Sequence, residues 1–181
     1  LSIGFPLVFL SVAAFMTKPK LDLMGELDKA EAMIQGDQYS SAVDFLGEKL
    51  FPFLEAGQMS SAEARRYHLL MGRGIYRGQR TLEVSDPRND RFVLVEYEHA
   101  EHFGAELEGS DVEALVETRL SLGELDKALH EVGRLPAEMG ARRVAYLKRI
   151  AVESLRRPVP ETDRALGIIA VATFLLLFLF T

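Results

Sequence analysis

Apolar residues recur every three or four positions through most of the chain. Leu23, Leu27, Ala30 and Ile34 follow one stripe, and Tyr39, Ala42, Val43 and Leu46 follow a second. Gly36-Asp37 between them reads as a helix stop and a turn. Farther along, Val112, Leu115 and Leu122 lead up to Gly123, and Leu125, Ala128, Leu129 and Val132 follow it. Phe92-Val93-Leu94-Val95 is the only β-rich run, and residues 96–102 continue it with helical spacing. The pattern predicts seven helices, at approximately 21–35, 39–50, 63–78, 90–103, 111–122, 125–134 and 139–156. The first six pair into three antiparallel hairpins and the seventh is left over. The expected fold class is all-α, a stack of helix hairpins in which each buries its face against the next.

The ends are different in kind. The chain carries 21 basic and 27 acidic side chains, and none of them falls in residues 1–16 or 166–181. Residues 166–181 read LGIIAVATFLLLFLFT. A helix of that length covers about 24 Å against a hydrocarbon core of about 30 Å. With Arg164 snorkelling and further chain beyond Thr181, this segment is expected to span a membrane. Residues 1–16, with Pro6 and two serines, are read as a second membrane-embedded helix. A retained signal-peptide hydrophobic region is the alternative, because Val12-Ala13-Ala14 resembles a cleavage site. The expected organisation is therefore an apolar segment at 1–16, a helical domain at 17–157, a linker at 158–165 containing Pro158 and Pro160, and a transmembrane segment at 166–181. Lys18 and Lys20 follow the first apolar segment, and Arg156, Arg157 and Arg164 precede the second. Both flanks place the helical domain on the cytoplasmic side, with a periplasmic domain as the alternative.

The absence of Cys excludes disulfides, a thiolate zinc site and a cysteine nucleophile. A formal net charge of −6 argues against nucleic acid as the main partner. His99 and His102 share a helix with Glu96, Glu98 and Glu101 and could meet a metal, but a solvated acidic face accounts for them better. His68 and His130 are isolated and read as surface or packing residues. Gly72-Arg73-Gly74 with Gly78 lacks the preceding strand of a phosphate loop, and close helix packing explains it better. Neither a Gly-x-Ser-x-Gly elbow nor an HExxH pair occurs. No enzymatic activity, cofactor or metal is expected.

The third hairpin presents Leu115, then Leu122-Gly123-Glu124-Leu125, then Ala128, Val132 and Leu135 with Pro136 after them. In this order of large residue, turn glycine, small residue and closing apolar pair it resembles the tetratricopeptide repeat. It departs from the motif at Val116 and Arg119. The second hairpin supplies Met71-Gly72 and Ile75-Tyr76, followed by Val93, Tyr97 and Ala100; the first offers Ala30, Met33, Tyr39, Ala42 and Leu46. Matching Ala42, Val93 and Ala128 gives spacings of 51 and 35 residues. The second is close to the family period of about 34 residues, and the first needs an insertion, for which the polar run 81–91 is the expected loop. The resemblance implies that small residues at Ala42, Gly72 and Ala128 let backbones approach closely. It also implies that the third predicted helix lines a concave groove.

Two basic rows stand out on that reading. Arg66, Arg73 and Arg77 form one stripe on the third helix, with Arg80 beyond, and could clamp a carboxylate or an acidic peptide. Arg142, Arg149 and Arg156 repeat every seven residues on the last helix and could meet anionic headgroups. On another face of that helix Val144, Leu147, Ala151 and Leu155 are expected to cap the open end of the stack. Charge is segregated as well: residues 81–138 hold 15 acidic and 5 basic side chains, whereas 139–165 hold 3 and 7. The function these features imply is a membrane-anchored scaffold or adaptor whose partners are other proteins and the lipid bilayer. The alternative is a structural accessory subunit of a larger integral-membrane complex.

Overall fold

A computed structural model describes residues 21–156, and every regular element among them is helical. In chain order these are α1 (Leu23–Gln35), α2 (Tyr39–Phe45), a π-turn (Leu46–Leu50) that runs into α3 (Phe51–Glu55), α4 (Ser61–Thr81), α5 (Pro87–His102), α6 (Gly109–Ser121), α7 (Leu125–Arg134), a 3₁₀ turn (Ala137–Met139) and α8 (Gly140–Arg156). The chain divides into two compact units, one running to Glu106 and the other from Leu107. Among the described residues no helix is long and apolar enough to cross a membrane. The two charge-free ends expected to span, 1–16 and 166–181, and the linker 158–165 lie outside the described residues.

Helix starts follow from local side-chain chemistry. The Asp22 carboxylate accepts from the Gly25 amide at 3.1 Å. Ser60 and Glu63 form a reciprocal capping box, in which the Ser60 amide donates to the Glu63 carboxylate at 2.7 Å and the Glu63 amide to Ser60 Oγ at 3.3 Å. Asp86 accepts from the Arg88 amide at 2.8 Å, with Pro87 at the first helical position. That cap corrects the expected loop over 81–91. Asp-Pro begins a helix here rather than interrupting one, so the extra residues lengthen α4 to Thr81 and α5 from Pro87, and only 82–86 connect them.

The stops are more uniform still. Asp37, Gly57, Glu83, Gly104 and Gly123 all have positive φ, between 52° and 83°. In each case the next amide reaches back to a carbonyl five residues earlier, as in Gln38 to Met33, Val84 to Gln79 and Glu124 to Arg119. Three of these positions are glycine, which pays no Cβ penalty there, while Glu83 does. Glu83→Gly is accordingly expected to stabilise the first unit by about 1 kcal/mol, read from urea unfolding followed by circular dichroism. An unchanged midpoint would mean that Glu83 makes a compensating contact.

The first unit comprises α1 to α5. Leu27, Ala30, Ala42, Leu46 and Leu50 are fully buried, and Tyr67, Leu70 and Met71 of α4 close over them. The π-turn stands directly upstream of Pro52, whose ring would collide with the carbonyl four residues back in a regular helix; the wider turn relieves that clash. Lys49 of this turn and Lys29 of α1 bond the same carboxylate, Glu26, at 2.6 and 2.8 Å, and hold its carboxyl below the usual range.

Three glycines let α4 sit close to its neighbours. A Cβ at Gly72 would lie 3.3 Å from the Tyr97 ring, one at Gly74 2.9 Å from Val43 Cγ2, and one at Gly78 3.3 Å from Tyr39 Cβ. The close approach expected of Gly72 is met by α5, and α2 crosses over Gly74 and Gly78.

The second unit packs α6, α7 and α8 around Val112, Val116, Leu125, Ala128 and Val132, with Leu135, Tyr146 and Ile150 at the edge. Arg119, which breaks the apolar pattern of α6, is buried but reaches Glu124 at 2.6 Å just past the Gly123 stop. The pairing holds the Glu124 carboxyl below its ordinary value. In α8 the expected stripe is corrected. Tyr146 and Ile150 turn inward, whereas Val144, Leu147, Ala151 and Leu155 lie on the opposite side and are exposed. The helix has apolar residues on two faces, and the larger phenol of Tyr146 fills the space beside α6 and α7.

Candidate functional site

The C-terminal half of α4 gathers the features with most potential for binding. Its outward stripe begins at Arg66, which is engaged within the fold. Its guanidinium bonds Glu31 and lies 2.6 Å from Asp28, both on α1. Burial disfavours its charge, yet these two carboxylates keep its pKa above the ordinary arginine value. Arg66 therefore fastens α4 to α1; Arg73 and Arg77 continue the stripe, and both are half-buried. Arg80 closes it with its guanidinium 5.4 Å from the Tyr76 ring and Nε 3.3 Å from the Tyr76 hydroxyl.

Beside Arg77 lies a cleft of about 450 Å³ between the start of α2, the end of α4 and the beginning of α5. Gly74 and Gly78 form part of its floor with Val43 and Ile75, and Leu82, Val84 and Asn89 form its rim. The absence of two side chains that lets α2 cross close is the same absence that leaves this space. Leu82 is 73 % exposed and Val84 54 %, so the rim offers apolar surface to solvent. At one edge the Tyr39 hydroxyl donates to the Asp37 carboxylate at 2.5 Å. That bond and partial burial raise the Tyr39 pKa, while the Arg77 charge and a bond with Thr81 pull the other way. The cleft thus pairs an apolar lining with a few fixed polar groups, the usual composition of a small binding site. In the sequence Gly74 and Gly78 read only as close helix packing, which misses the cleft; their spacing of one helical turn on one face is the signal that could have found it.

A second cluster joins residues that look isolated in the sequence. His68 is buried, its Nδ1 2.7 Å from a Glu96 carboxylate oxygen across the α4–α5 hairpin. Its ring stacks on Phe103 at 5.7 Å and meets His99 edge-on at 4.9 Å. Burial, and the Glu96 charge after it, push the neighbouring Tyr67 phenol well above its ordinary pKa. His102 instead turns edge-on to Phe103, so His99 and His102 do not converge. Among the described residues no group of three or more ligating side chains could hold a metal. The surrounding Glu residues do not explain the burial of His68; its place four residues after Ala64 on the inner face of α4 does.

The basic row of α8 is divided. Arg142 bonds Glu113 and Arg149 reaches Glu117 at 3.0 Å, both on α6, whereas Arg156 pairs with Glu153 of its own helix at 3.3 Å. The Tyr146 hydroxyl also donates to Glu113, at 2.9 Å, and burial together with the two carboxylates raises its pKa. Arg143 caps the end of α7 by donating to the carbonyls of Val132 and Gly133 at 3.1 and 2.6 Å. Spacing by seven puts one arginine per two turns on the α6 side, which is why the sequence could reveal the row but not its partners. No protein-family model, curated protein or solved structure matches this chain.

Proposed function

We propose that this chain is a membrane-anchored helical-hairpin adaptor of the tetratricopeptide type, which holds a short acidic segment of a partner protein along α4. The supporting observation is the juxtaposition of the Arg73–Arg77 stripe with the apolar cleft over Gly74 and Gly78. A segment with acidic residues next to a leucine-sized side chain would match both at once, the carboxylates meeting guanidinium groups and the apolar group filling the cleft. The charge-free ends supply the tether, and the lysine and arginine flanks favour a cytoplasmic domain.

The reading is tested by fluorescence anisotropy with labelled ten-residue peptides in which Glu and Leu alternate, compared with the same peptides carrying Gln for Glu. The double variant Arg73→Glu/Arg77→Glu should weaken binding of the acidic peptide by about tenfold or more, with helicity unchanged. Arg66 is left alone because its reversal would break the α1–α4 pairs. Equal affinity for acidic and neutral peptides, or no loss in the double variant, overturns the proposal.

A further inference from the structure

Among the described residues nothing covers the outward face of α8. Val144 is 50 % exposed, Leu147 41 %, Val152 47 % and Leu155 87 %, and Ala151 lies among them. At about 100° per residue these five side chains fall on one side of the helix, opposite the buried Tyr146 and Ile150. Lys148 is exposed within the same strip, and no acidic residue shares it.

From this face we infer that α8 lies flat on an anionic bilayer surface, with its apolar strip sunk at the level where headgroups meet acyl chains and Lys148 meeting the phosphates. Three observations select lipid as the occupant. The exposed strip presents Lys148 and no acidic residue, complementary to an anionic leaflet. Arg142 and Arg149 point toward Glu113 and Glu117, so the strip itself stays clear of ion pairs with α6. The chain also runs from α8 through Arg157 and Arg164 into the charge-free residues 166–181, only ten positions after Arg156. A second copy is a poorer occupant, because symmetric pairing through the strip would set Lys148 against its own equivalent with nothing acidic between them. This inference deepens the membrane-anchored reading and rests on it for nearness to a bilayer.

The chain has no Trp, so single tryptophans report without background. Full-length Leu147→Trp and Leu155→Trp are incorporated into phosphatidylcholine vesicles with and without phosphatidylglycerol, with Phe92→Trp on α5 as the reference. Lipids brominated near the headgroup serve as the quencher. The two α8 probes should be blue-shifted and quenched in the anionic vesicles, the Phe92 probe should not, and adding Lys148→Glu should abolish the difference between vesicle types. Quenching at α8 no greater than at position 92 overturns the inference. So does a blue shift without quenching, since that means protein covers the strip. Flotation of the same vesicles separates the two readings. Chain that floats with unquenched α8 keeps the tether and loses the flat helix, and chain that does not float loses both.

Discussion

Tyr97→Ala should destabilise the first unit by about 3–5 kcal/mol, the cost of emptying a large, fully buried aromatic site. Tyr97 is 1 % exposed and is the largest fully buried side chain among the described residues. Its ring packs against Gly72 of α4, where a Cβ would stand 3.3 Å from it. Removing it leaves a void between α4 and α5, on the face that Tyr97 shares with the fully buried Val93 and Ala100. Because the void opens directly over Gly72, the double variant Tyr97→Ala/Gly72→Ala should recover part of the loss. Gly72→Ala alone should destabilise. The sign reversal of one substitution between two backgrounds, measured by urea unfolding, identifies the contact as the cause. If the two losses simply add, the ring and the glycine are not energetically coupled.

The second large effect is expected at Gly74→Val. Even a single added carbon meets Val43 Cγ2 at 2.9 Å, a distance that real contacts do not sustain, and Val43 is β-branched and stiff. α2 must therefore move away from α4, at a cost of about 1–3 kcal/mol from overpacking. The same substitution fills the floor of the cleft. Peptide binding should then fall together with stability, whereas Gly133→Ala, where no atom lies within 4 Å, should leave both nearly unchanged. Retention of full peptide affinity in Gly74→Val would place the binding surface elsewhere.

Much of this was legible from spacing. The helices follow the apolar period closely because their buried positions, such as Leu27, Ala30 and Ile34 or Ala128 and Val132, are local in sequence and recur with the helical turn. Asp86-Pro87 was misread because proline has opposite meanings in the body and at the start of a helix, and the cap that decides between them is a single side-chain bond. The α8 faces were exchanged for a related reason. A helix with apolar residues on two sides gives no sequence criterion for which side goes in, and the choice falls to the fit of Tyr146 beside Glu113. The site was legible only as types of residue. Arg66, Arg73 and Arg77 share a stripe by arithmetic, but the carboxylates on α1 that engage the first of them are 35 and 38 positions away. His68 and Glu96, 28 positions apart, meet for the same non-local reason.

The five left-handed helix stops carry a kinetic consequence. Each is written in backbone geometry within six residues, and two of them, Glu83 and Gly123, join the helices that pack most extensively on each other, α4 with α5 and α6 with α7. A chain whose pairings are mostly between neighbours closes small loops before large ones, and proteins of such low contact order fold in microseconds to milliseconds. Hairpins of this kind can form while the rest of the polypeptide is still emerging from the ribosome.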